Sequence, residues 1–144
     1  MSETYLIAFD GSDASERALA FGAARARGSG ARLVLAHVLE WSPYSFLSAE
    51  EVAERHKRRT EEVGRAETVI LDPVCKRLRA EGLTVDAIVR YGHVAEVLGD
   101  LAKEFGATQM MVGRTGEKGL QARLFGSVAG TLAQIAPVPC TIVP

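Results

Sequence analysis

Five short runs of mostly apolar residues, Tyr5–Phe9, Arg32–Val38, Leu83–Arg90, Gln109–Val112 and Cys140–Val143, recur along the 144 residues with helix-patterned stretches between them. Strands separated by helices cannot be neighbours in a hairpin. They pair in parallel through crossovers, and the crossovers cover both faces of the sheet. Tyr5–Phe9 is apolar throughout, as expected for a central strand buried on both faces, whereas Leu83–Arg90 alternates between apolar and polar residues. The fold class that follows is α/β: one domain spanning residues 1–144, with a five-stranded parallel sheet and helices on both faces.

The helix boundaries carry their own chemistry. Asp13 and Glu16 form a D-x-x-E capping box ahead of Arg17–Arg27, with Gly28 as the stop. Ser48 and Glu51 form another, opening a long charged helix toward Glu81, with Gly82 as its stop. Asp72-Pro73 interrupts that helix and predicts a kink or a restart, with Asp72 as N-cap and Pro73 at the first helical position. A helix over Val94–Phe105 stops at Gly106, and a last one over Val128–Ala136 stops at Pro137.

Between Met110-Met111-Val112 and that last helix stand Gly113, Gly116, Gly126 and Ser127, in the pattern G-x2-G-x9-G-S. A strand, a glycine loop and a helix start in succession offer unpaired N–H groups and the positive end of a helix dipole to a phosphate. Glycine lets the backbone approach such a ligand closely. The Walker A pattern is absent, and no G-x-G-x-x-G follows the first strand. In open parallel sheets, ligands sit beyond the C-terminal strand ends where the winding reverses. With strand one central and strand four across the reversal, the order is 3-2-1-4-5, and Asp10-Gly11-Ser12 faces the Gly113 loop. Asp10 is then a candidate contact to a ribose hydroxyl, or to a metal ion held by phosphates. Its alternative role is local, bonding the amides of its own turn.

Composition narrows the function classes. A formal net charge of -1 argues against non-specific nucleic-acid binding. No apolar run approaches a membrane span, and Met1 leads almost directly into a strand, so a cytoplasmic protein is expected. Cys75 and Cys140 have no metal or redox spacing and are read as reduced thiols; His37, His56 and His93 share no ligand spacing.

At these residues the chain resembles the universal stress protein family, in its universal stress protein A-like, ATP-binding form. The resemblance runs over the whole chain. It includes A-F-D-G-S at the end of strand one, A-H-V at the end of strand two, the terminal A-P-V-P-C-T-I-V and, most specifically, G113-x2-G116-x9-G126-S127. It implies a Rossmann-like sheet of the adenine nucleotide alpha hydrolase type and a bound ATP, or AMP or ADP, with Mg. It further implies that Asp10 and Gly113 contact the ribose and that Val38 contacts adenine through its backbone. Gly116, Gly126, Ser127 and Val128 would hold the phosphates, and Ala8, Phe9 and Val112 would line the base pocket. Phe9 departs from the smaller residue often found before the Asp.

Arg114, Lys118 and Arg123 are candidate phosphate-neutralising cations or solvated loop residues. Trp41, Tyr44 and Phe46 are candidates for a lid over a base, a subunit contact or packing against the long helix. The basic run Arg55–Arg59 sits among Glu51, Glu54, Glu61 and Glu62 and reads as a solvated helix face. The expected function is nucleotide-dependent regulation through an unknown protein partner. A weak ATPase or autophosphorylating enzyme, and a non-nucleotide scaffold, are the alternatives. Strand five lies at the sheet edge with Pro139 before it and Pro144 after it. It is expected to pair with its own copy through Cys140, Thr141, Ile142 and Val143, giving a homodimer.

Overall fold

In the computed structural model, which describes residues 3–40, 48–114 and 122–144 (122–127 as helical backbone only), the five strands form one parallel sheet. The elements are β1 (Thr4–Ala8), α1 (Asp13–Ser29), β2 (Arg32–Glu40), α2 (Ala49–Arg65), a π-helical turn (Ala66–Leu71), α3 (Asp72–Ala80), β3 (Val85–Gly92), α4 (Val94–Glu104), β4 (Gln109–Gly113), α5 (Ala122–Ile135) and β5 (Cys140–Val143). The order is β3-β2-β1-β4-β5, as expected, so the winding reverses between β1 and β4.

Two apolar cores flank the sheet, and the strand alternation assigns side chains to them. Tyr5, Ile7 and Phe9 of the first strand and its exit, with Leu33, Leu35 and Met111, pack against α1, the π turn and α3. Leu6, Val34, Ala36, Met110 and Val112 pack on the opposite face against α4, with Leu132 of α5. Burying each of the larger side chains removes it from water for a gain of about 1.5–3 kcal/mol. Helix α1 lies close over the sheet at Gly22, where a Cβ would stand 2.5 Å from Ile7 Cδ1 and 2.9 Å from Met111 Sδ.

Several boundaries differ from the sequence expectation. The N-cap of α1 is Ser12 rather than Asp13: the Ser12 side chain accepts from the Ser15 N–H, and Asp13 becomes the first helical residue. The helix passes Gly28 and stops at Gly30, whose φ of 74° supplies the left-handed cap. Ser48 does cap α2, accepting from the Glu51 N–H at 3.1 Å. Pro73 neither breaks the helix nor follows an Asp72 cap. Asp72 is helical and its N–H bonds Glu67 O, five residues back, so the turn ahead of the proline widens and the missing proline N–H is absorbed. Strand β3 begins at Val85, held by two bonds from the Arg79 guanidinium to Val85 O, and runs on to Gly92. Helix α5 begins at Ala122, six residues earlier than Val128. Among the described residues no helix is long and apolar enough to cross a membrane.

Candidate functional site

The C-terminal ends of β1, β2 and β4 converge at the reversal, and the β1–α1 turn is tied down there by its own hydrogen bonds. Asp10 Oδ1 accepts from the Ser12 N–H at 2.9 Å, closing an Asx turn around Gly11, whose φ is 83°. The Asp10 N–H points at Ser15 Oγ, 3.3 Å away, and Ser15 Oγ donates to Ser12 O at 2.9 Å. Ser12 and Ser15 are both buried. Among the described residues only Oδ1 of the Asp10 carboxylate is engaged. The S-x-x-S spacing of Ser12 and Ser15 was visible in the sequence, but the acidic Asp13-x-x-Glu16 pair competed with it for the capping role.

Gly113 ends β4 against this turn. A Cβ there would stand 2.9 Å from Ala14 O and 3.0 Å from Ala14 C, both backbone atoms that cannot give way. Its lack of a side chain is what allows the two strand exits to lie side by side. Arg114 follows, with its N–H on Val143 O at 2.8 Å and its side chain exposed. Ala8, Val38 and Val128 all pack against the cluster that contains Val112, so four sequence-predicted residues share one apolar wall on the α4–α5 face. The side chain of Phe9 takes the other direction. It is 2% exposed, packs with Tyr5 and Ile7 beneath α1, and does not crowd that wall.

Gly116 and Lys118 lie outside the described residues, as do Trp41, Tyr44 and Phe46. Gly126 and Ser127 fall inside α5, in its second turn, rather than at a helix start. The stretch Ala122-Arg123-Leu124 is helix-favouring, and a glycine within a helix costs only about 1 kcal/mol, so Gly126 does not stop it. His37, which the sequence left without a role, is buried with its Nδ1 2.9 Å from Phe9 O. His93 stands at the N-cap position of α4 without a capping bond and is exposed, as is His56 on α2. Among the described residues no three His, Cys, Asp or Glu side chains gather as metal ligands.

Among the described residues, three titrating groups are displaced from their ordinary values. Burial pushes the Cys75 and Cys140 thiols up. At the C-terminal end of β3, Tyr91 is pushed up to about 12, first by partial burial and then by the bond its hydroxyl donates to Glu62 Oε2 at 2.7 Å. The Arg59 guanidinium stacks over the same ring at 5.2 Å, and the pair ties α2 to the sheet edge.

A model of the universal stress protein family matches residues 1–144. The chain belongs to the universal stress protein family. Its similarity to a universal stress protein of Thermus aquaticus, encoded 3′ of a QAH/OAS sulfhydrylase, is 32% identity over 146 residues, covering 99% of each chain. Among solved structures, a hypothetical protein from a structural-genomics test case superposes with a TM-score of 0.80 at 21% identity, covering 99% of this chain and 96% of the other. A universal stress protein solved in complex with cAMP superposes with a TM-score of 0.62 at 25% identity and the same coverage.

Proposed function

We propose that this universal stress protein binds an adenine nucleotide, ATP with Mg in the first instance, at the β1–β4 reversal and acts as a nucleotide-dependent regulator rather than as a dedicated enzyme. The observation that carries the reading is the juxtaposition of a rigid Asp10 turn, carrying a spare carboxylate oxygen, with Gly113 and the apolar wall of Ala8, Val38 and Val112. An adenine has an apolar face to lay on such a wall, and a ribose hydroxyl has a carboxylate to meet. The same Oδ2 suits a Mg ion held by the phosphates. The phosphates would lie toward Gly116, Gly126, Ser127 and Val128, with Arg114 offering charge. The cAMP complex of a 25% identical relative supports the choice of an adenine nucleotide.

With the second Asp10 oxygen assigned to the ribose or to Mg, the reading names no general base, and hydrolysis is expected to be well below the ordinary enzymatic range of about 1 per second. The direct test is calorimetry of the purified protein with ATP and Mg, together with identification of any nucleotide released on heating. Saturable binding supports the reading. Absence of binding by a protein that releases no nucleotide on heating refutes it.

A further inference from the structure

We propose that His37 is a positioning residue for base recognition: its imidazole takes the Phe9 carbonyl out of the β1–β2 ladder and so leaves the main-chain N–H and C=O of Val38 free to meet an adenine edge. The inference rests on the nucleotide reading above and concerns how that site reads the base.

The ladder itself shows which way each residue of β2 faces. The Arg32 N–H bonds Glu3 O at 2.9 Å and the Phe9 N–H bonds Ala36 O at 2.8 Å, so the even residues of β2 turn their backbone groups toward β1. The Leu33 N–H bonds Thr84 O at 2.9 Å, so the odd residues face β3. Val38 is even, and its N–H and C=O therefore point to where β1 would continue. Strand β1 ends at Ala8, and Phe9 makes one more rung by donating to Ala36. The following rung would join the Val38 N–H to the Phe9 carbonyl. Among the described residues that carbonyl is instead held by His37 Nδ1 at 2.9 Å.

A carbonyl only accepts, so Nδ1 carries the hydrogen. It does so in the neutral and in the charged ring, and the clamp survives protonation. His37 is 7% exposed, which protects the bond from competing water. The consequence is a backbone N–H and C=O pair released together at the strand exit, beside the apolar wall that the Val38 side chain shares with Ala8 and Val112. Adenine presents an acceptor ring nitrogen next to a donor amino group, which complements that pair. Hypoxanthine reverses both and is rejected.

Wild type, His37→Leu and His37→Asn are compared by calorimetry with ATP and ITP, and by amide exchange without nucleotide. Wild type should prefer ATP over ITP by about tenfold or more. In His37→Leu the Val38 N–H recovers Phe9 O, and the preference falls to within about twofold while tripolyphosphate binding is unchanged. His37→Asn keeps an N–H donor close to the Nδ1 position and retains the preference, which a merely space-filling role for His37 would not explain. In the nucleotide-free protein the Val38 amide should exchange much faster than that of Ala36, and slow down in His37→Leu. An unchanged ATP-to-ITP ratio in His37→Leu, or a Val38 amide as protected as Ala36 in wild type, overturns the proposal. A wild type that binds neither nucleotide refutes the site reading instead, and the exchange comparison still decides on the clamp.

Discussion

Asp10 closes its turn with one carboxylate oxygen, which accepts from the Ser12 N–H, and the proposed nucleotide site assigns the other to the ligand. Asp10→Asn keeps an oxygen for the Ser12 N–H but removes the charge, so we expect ATP affinity to fall about tenfold by calorimetry with little change in melting temperature. Asp10→Ala should lose both affinity and stability, the latter by about 1 kcal/mol, because the turn amide loses its partner. Tyr91 is a second residue with a separable signature. Its hydroxyl titrates at about 12 in the folded chain against 10.0 normally, so the neutral form is favoured by folding. That contribution is complete below pH 10 and is lost as pH rises from 10 toward 12, as the unfolded chain ionises first. Because the group is partly exposed, the effect is small. Tyr91→Phe should flatten the decline of stability in that window in denaturant melts, and an unchanged pH slope would contradict the Glu62 pairing.

At the scale of elements, two glycines play opposite parts. Gly22 lets α1 lie close to the sheet: the added methyl of Gly22→Ala would meet Ile7 Cδ1 and Met111 Sδ, so these fully buried side chains would have to shift. We expect a loss of about 1–3 kcal/mol in urea unfolding. Gly126 lies inside α5 and is not demanded by the helix. Gly126→Ala should therefore raise stability by about 0.5–1 kcal/mol. Gly126→Val should weaken ATP binding while leaving the fold intact, and equal affinity in mutant and wild type would remove this end of the motif from the site. The early start of α5 was illegible for a simple reason. Ser127 is a good N-cap and Gly126 a poor helix residue, but each preference is worth about 1 kcal/mol or less here, and the four helix-compatible residues upstream, Ala122 to Phe125, outweigh them. The capping of α1 was illegible in a similar way, because Ser12 and Asp13 are equivalent caps by residue type and only the buried Ser15 hydroxyl selects between them.

For the whole molecule, the free edge of β5 has a defined register. The Met110 N–H bonds Pro139 O and the Arg114 N–H bonds Val143 O, so odd residues of β5 face β4, and the groups of Cys140 and Ile142 face outward. The Ile142 side chain is 37% exposed and Ile135 of α5 is 47% exposed. A two-fold antiparallel pairing of β5 with its copy would bond these outward groups and cover such apolar surface. Ile142→Pro removes only an outward N–H and leaves the β4 ladder intact, so light scattering should report a monomer with the sheet signal of circular dichroism preserved. A wild type that is monomeric at tens of micromolar would exclude the dimer.

The five strands, their parallel pairing, the order β3-β2-β1-β4-β5 and the position of Asp10 opposite Gly113 were all determined by the sequence, because apolar runs spaced by helices admit few chiral, uncrossed windings. Which face each residue takes was decided by the tertiary structure. Phe9 and Val38 are both placed at the base pocket by the sequence resemblance, yet the Phe9 side chain turns beneath α1 while Val38 packs on the opposite face with Ala8 and Val112. The role of His37 was likewise hidden, since its partner is a backbone oxygen 28 residues away that only the pairing of β1 with β2 brings within 2.9 Å. Local pattern encodes the period of a strand; its phase and its long-range partners are set when the sheet closes on two different cores.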